Sequence, residues 1–138
     1  MTLRLQLVLI LAAGTFIFNT SEFIPIGLLS SIAHDFAMSE SKTGLIITFY
    51  AWIVALFSLP LMLYFRQTEL KRLMLGVFAL FIFGNFLAGV AQSFYMLMGG
   101  RIFVALAHAI FWSIVTPMGV RAAPNKKRAL AIGIIVSG

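Results

Sequence analysis

The sequence predicts an all-α membrane protein of four transmembrane helices and the start of a fifth. Three observations carry this expectation. The 138 residues are 62% hydrophobic and 10% charged, against roughly 45–50% apolar and 25% charged in soluble domains. The apolar residues fall into blocks of about 20, the length a helix needs to cross about 30 Å of hydrocarbon. The charges gather in the short stretches between those blocks.

The first block covers about 5–32. A polar stretch follows, with His34, Asp35, Ser39, Glu40, Ser41 and Lys42. The second block, 43–65, has Pro60 near its end and leads into a loop where Arg66, Lys71 and Arg72 outweigh Glu69. The third, 73–91, is uncharged and joins the fourth, 94–119, through Gln92-Ser93. Arg121, Lys126, Lys127 and Arg128 then surround Pro124, and a fifth block begins at 129 and runs to 138. The chain 1–138 reads as one partial transmembrane bundle. A cleavable signal peptide fits the start poorly. Mostly apolar sequence continues well past Phe18 before Ser31-Ile-Ala33, a weak cleavage-like triplet.

Charge sets the orientation. Arg4, the 66–72 loop and the 121–128 loop hold eight Lys or Arg on one side, while Lys42 stands alone on the other. The positive-inside rule puts the N-terminus and both basic loops in the cytoplasm. The net charge of +6 is therefore a loop signal, not a nucleic-acid footprint. With no cysteine there is neither a disulfide framework nor a thiolate metal site. The two histidines lie 74 positions apart, so no local metal motif forms. No nucleophile–base set or cofactor motif can be assembled, and an enzyme is not expected.

The chemistry sits inside the spans. Glu22 lies in the first, and an acid within a bilayer costs from about 2.5 kcal/mol upward, so it normally faces a cavity or a partner. Thr15, Asn19 and Glu22 share a helical face. From the 1.5 Å rise per residue, Asn19 is central and Glu22 about 6 Å outward, with His108 level with Asn19 and Arg101 near the layer of Glu22. Glu22 and Arg101 are then placed to stabilise each other. Arg101, Ala105, His108 and Trp112 are spaced 4, 3 and 4 along one face of the fourth span. A neutral imidazole beside an indole suits a sugar, with hydrogen bonds from one and a stacking surface from the other. Tyr50 and Trp52 fit either a ligand wall or an interfacial aromatic belt. Gly84, Gly89, Gly99 and Gly100 fit close helix packing, and Pro25 and Pro60 fit kinks.

The words Phe-Ile-Phe-Asn-Thr-Ser-Glu-Phe-Ile-Pro-Ile-Gly-Leu-Leu (16–29), Tyr-Ala-Trp-Ile-Val-Ala-Leu (50–56) and Ala-His-Ala-Ile-Phe-Trp-Ser (107–113) resemble bacterial sugar efflux transporters. These belong to the drug:proton antiporter group of the major facilitator superfamily. The resemblance implies twelve helices in two six-helix bundles, with this chain forming part of the N-terminal one. It further implies sugar export from a bacterium across its inner membrane, driven by proton entry. On that likeness Glu22 matches the family's acidic residue in its first helix, Arg101 the fourth-helix arginine associated with proton coupling, and Asn19 and His108 polar cavity positions. Glu22 and Arg101 are thus the expected proton-coupling pair, and Asn19, His108, Trp112 and Tyr50 the expected substrate-binding residues. The chain departs from the superfamily at 63–72. That loop usually reads Gly-x-x-x-Asp-Arg-x-Gly-Arg-Arg, and here only the terminal basic pair remains, with Gln67 in place of Asp.

Two other expectations compete with the first third of a proton-coupled exporter. One is a small four-helix exporter acting as a homodimer, which the strong charge bias disfavours because dual-topology dimers need nearly balanced loops. The other is a non-transporting remnant of a disrupted gene. Under the first expectation these residues alone do not transport. The ten residues of the fifth block, about 15 Å of helix, would leave their last carbonyls in lipid or be forced out.

Overall fold

A computed structural model describes residues 5–138; Arg4, one of the cytoplasmic charges counted above, lies outside the described residues. The described chain is helical and without strands. Its elements are α1 (Leu5–Gly27), α2 (Leu29–Asp35), α3 (Glu40–Thr43), α4 (Leu45–Tyr64), α5 (Leu70–Gly89), α6 (Phe94–Ala122), a 3₁₀ turn (Asn125–Lys127) and α7 (Arg128–Ser137). Four helices are long and apolar enough to cross a membrane: α1, α3 running into α4, α5 and α6. The third span takes in Lys71 and Arg72 at its start, and the fourth continues past 119 through Arg121.

Local chemistry explains the boundaries. Ser39 and Ser93 stand in extended conformation ahead of α3 and α6, and their hydroxyls accept from the amides of Lys42 at 3.3 Å and Met96 at 3.2 Å. Each satisfies one of the amides a helix start leaves without a partner. Pro124 follows α6 and ends it. Leu28 departs from helical geometry between α1 and α2, yet its amide still bonds Ile24 and its carbonyl accepts from Ile32. The first span therefore runs on into α2.

α6 is the central element, flanked by α5 and α4, with α1 and α7 packed on each other and on α6. Its residues Val104, Ala105, Ala107, Ala109, Phe111 and Val115 are sealed from the surface. The other spans bury one stripe each and turn Leu9, Phe16, Phe23, Leu56, Ile82 and similar residues outward. Apolar residues on the outside are the expected arrangement for helices solvated by lipid tails. α5 meets α6 through Gly84 and Gly100, where a Cβ would fall 2.7–2.8 Å from backbone oxygen of the facing helix. A Cβ on Gly89 or Gly99 would meet nothing within 4 Å, so those two are not packing glycines. In the fifth block α7 docks with Ala131 and Ile135 buried, Ile135 reaching the backbone at Gly119.

Candidate functional site

The site begins with Pro25. Proline carries no amide hydrogen, so the carbonyl four residues earlier, at Ser21, loses its helical donor. A buried carbonyl left without a donor costs about 1–3 kcal/mol. Arg101 supplies the missing donor: its Nη1 donates to the Ser21 carbonyl at 2.9 Å and approaches the Ser21 hydroxyl at 3.4 Å. The Ser21 hydroxyl itself donates to Asn85 Oδ1 at 3.1 Å, and Asn85 Nδ2 donates to the Phe81 carbonyl at 2.9 Å. This polar chain joins the first, third and fourth spans. The guanidinium also lies 4.6 Å from the centroid of the Tyr50 ring, a cation–π arrangement. Its Nε is buried without a hydrogen-bond partner.

His108 forms the second centre. It is 2% exposed, which makes its hydrogen bonds obligatory. Tyr50 Oη lies 2.8 Å from Nδ1, and the Trp112 indole N–H donates to Nε2. An indole can only donate, so Nε2 is the acceptor and the neutral ring carries its hydrogen on Nδ1, which donates to the Tyr50 oxygen. Glu22 Oε2 lies 3.5 Å from the same Nε2. Phe18 stands edge-on to the imidazole, with centroids 5.6 Å apart, and stacks on Phe111 at 4.2 Å. An imidazole, a carboxylate and a guanidinium are thus held among aromatic rings within the spans.

A cavity of about 50 Å³ is lined by Glu22, Tyr50 and Arg101, with Pro25 and Ile46 beside them. It is large enough for water with polar partners and too small for a sugar ring.

The structure brings five of the six expected site residues together: Glu22, Tyr50, Arg101, His108 and Trp112. The details of two placements follow from packing. Glu22 and Arg101 both border the cavity, but among the described residues they form no direct ion pair. Arg101 is turned to Ser21 and Tyr50, because the proline-freed carbonyl competes for it, and Glu22 approaches His108 instead. Asn19, expected level with His108, lies beside it. The inward stripe of α1 runs through Val8, Leu11, Thr15, Phe18, Ser21 and Pro25, which sets Phe18 and Glu22 against the imidazole and leaves Asn19 to one side, half-buried. Thr15 is spent within its own helix, donating to the Leu11 carbonyl at 3.0 Å. Trp52 is 61% exposed.

Ser21 and Asn85 are members that sequence reasoning missed. A signal for each existed. Asn85 is the lone amide side chain in an otherwise apolar third span, and Ser21 sits four residues before a proline within a helix.

Residues 11–138 match the family model of the Major Facilitator Superfamily. A protein described as a probable sugar efflux transporter, from Helicobacter pylori strain J99, is 47% identical over 134 residues. That match takes in 97% of this chain and 34% of the relative, so the chain spans about a third of the length of the curated relative it matches.

Proposed function

The chain belongs to the major facilitator superfamily, and on that footing we propose that it forms the proton-handling wall of a secondary transporter that exports sugars in exchange for entering protons. It is a multi-pass membrane protein, with four helices among the described residues long and apolar enough to cross a membrane, and its family is one of transporters, not enzymes. The observation that carries the proposal is the approach of Glu22 to His108, 3.5 Å apart inside the bundle, with water-sized space beside Glu22.

Glu22 takes up and releases the coupling proton. A nearby cation favours the carboxylate while exclusion of water favours the acid, so opening and closing of the cavity shifts the balance. Arg101 acts on Glu22 across the cavity, without touching it, and holds the first span at its proline. His108, Trp112 and Tyr50, with Asn19 at the margin, face the sugar. The relative's description as a probable sugar efflux transporter supports that substrate class. The membrane is the bacterial inner membrane, with the N-terminus cytoplasmic, supported by the bias of Lys and Arg to the loops at 66–72 and 121–128.

The cavity beside Glu22 is too small for a sugar, and the match covers 34% of the relative, which supports an opposite wall supplied by further helices. Transporters of this kind place their substrate between two repeats that rock against each other. Expressed alone in cells lacking other sugar exporters, this chain should not lower accumulation of a labelled sugar. Export that disappears on Glu22→Gln would instead establish the homodimer. With the remaining helices of a transporter supplied, Glu22→Gln should abolish export against a gradient and keep some sugar binding. Undiminished export in that variant would remove Glu22 from the mechanism.

A further inference from the structure

The single lone pair on His108 Nε2 is wanted by two groups. The indole N–H of Trp112 donates to it, and Glu22 Oε2 stands 3.5 Å from it on another side. The ionisable groups facing this imidazole are Glu22 from the first span, Tyr50 from the second and Arg101 from its own helix. Tyr50 occupies Nδ1, so Nε2 is where a further proton must be accommodated.

We propose that Trp112 is the positioning residue that reads the coupling proton, because that proton and the indole N–H exclude each other at His108 Nε2. The inference rests on the reading that Glu22 handles this proton. One proton from water enters the space between Glu22 Oε2 and Nε2. Whether it is counted as a carboxylic acid donating to the imidazole or as an imidazolium donating to the carboxylate, it uses the one lone pair. The charge and atom balance is the same in both cases: one proton gained, one hydrogen bond from Trp112 broken. The indole N–H, left beside a nitrogen that no longer accepts, must turn to another acceptor.

Tryptophan is the residue for which this matters most. Its ring is half-buried on the face that also carries His108. With the proton absent the ring is tethered to His108 and forms a fixed apolar wall. With the proton present it is released and the wall is undone. Exchange of a proton for a sugar needs such mutual exclusion, and here the two ligands meet at one side chain without competing for the same atom.

Nuclear magnetic resonance of the chain in lipid nanodiscs tests this directly, with tryptophan and histidine labelled with nitrogen-15 and Trp52→Phe introduced so that one indole reports. As pH falls from about 9 to about 4, the Trp112 indole proton should move to the position of a free indole along a one-proton curve, in step with His108 Nε2. His108→Gln should make that resonance independent of pH. An indole signal that stays in place over the whole range, or that still moves in His108→Gln, would overturn the proposal. A second variant keeps the ring and removes the donor: Trp112→Phe should raise the proton affinity at His108 about fivefold, the worth of one ordinary hydrogen bond. An unchanged affinity would contradict it. Neither readout depends on export, so a failure here is distinguishable from a failure of Glu22→Gln to stop transport, which would remove the proposed function.

Discussion

Gly99 and Gly100 are neighbours on α6, and the structure predicts opposite outcomes when each becomes alanine. A Cβ at Gly100 would lie 2.7 Å from both the Gly84 carbonyl oxygen and the Ala88 amide nitrogen, and 3.0 Å from the Ala88 Cα. All three are backbone atoms and cannot rotate away. Ordinary contact begins near 3.4 Å, so α5 and α6 must part by about 0.7 Å along their tightest seam. Overpacking of this sort costs about 1–3 kcal/mol. Replacing a helix-interior glycine returns up to about 1 kcal/mol through backbone entropy. The net loss for Gly100→Ala is then up to about 2 kcal/mol. At Gly99 nothing lies within 4 Å, so only the favourable contribution remains and Gly99→Ala should be neutral or stabilising by up to about 1 kcal/mol. Unfolding by added sodium dodecyl sulfate in mixed micelles, followed by circular dichroism, measures both. Equal effects of the two substitutions would refute the inter-helix seam as described.

The remaining predictions concern the proline, the arginine and the topology. Arg101→Leu should destabilise the bundle by about 1–3 kcal/mol through the orphaned Ser21 carbonyl, and adding Pro25→Ala should recover much of that loss by returning a helical N–H to the same oxygen; no recovery in the double variant would show that Arg101 acts elsewhere. Single cysteines at Ser39 and Gln67, in a chain with no cysteine of its own, should react with an impermeant maleimide on intact cells at 39 and not at 67. The reverse pattern would invert the orientation.

The number and order of the spans were legible because composition and block length act directly on membrane insertion, with no tertiary packing needed to decide them. Glu22, Arg101 and His108 stood out for the same reason: an ionisable group in an apolar block is costly wherever it points. The partners were less legible. Sequence spacing places Asn19 and Glu22 on one face, but a face about 100° wide does not say which of the two meets His108. Packing of Phe18 against Phe111 at 4.2 Å and Phe81 at 4.2 Å decides that rotation. Depth along the spans brings Arg101 near Glu22 but does not say which acceptor its guanidinium bonds. The competing demand came from a backbone carbonyl, and a carbonyl freed by Pro25 is invisible unless the hydrogen bonds of the proline-containing helix are counted one by one. The glycines divide for a similar reason. Gly84 and Gly100 face each other across a seam, and Gly89 and Gly99 do not, though all four look alike in sequence.

The most direct test of the central claim is to measure protons when sugar binds. In weakly buffered solution, with the transporter complete and held in detergent, adding a transported sugar to the protonated protein should release protons into the medium. In Glu22→Gln the same addition should release none while sugar binding persists. Proton release of equal size from Glu22→Gln, or sugar binding by the unaltered protein with no release at any pH, would contradict the assignment of the coupling proton to Glu22 and His108.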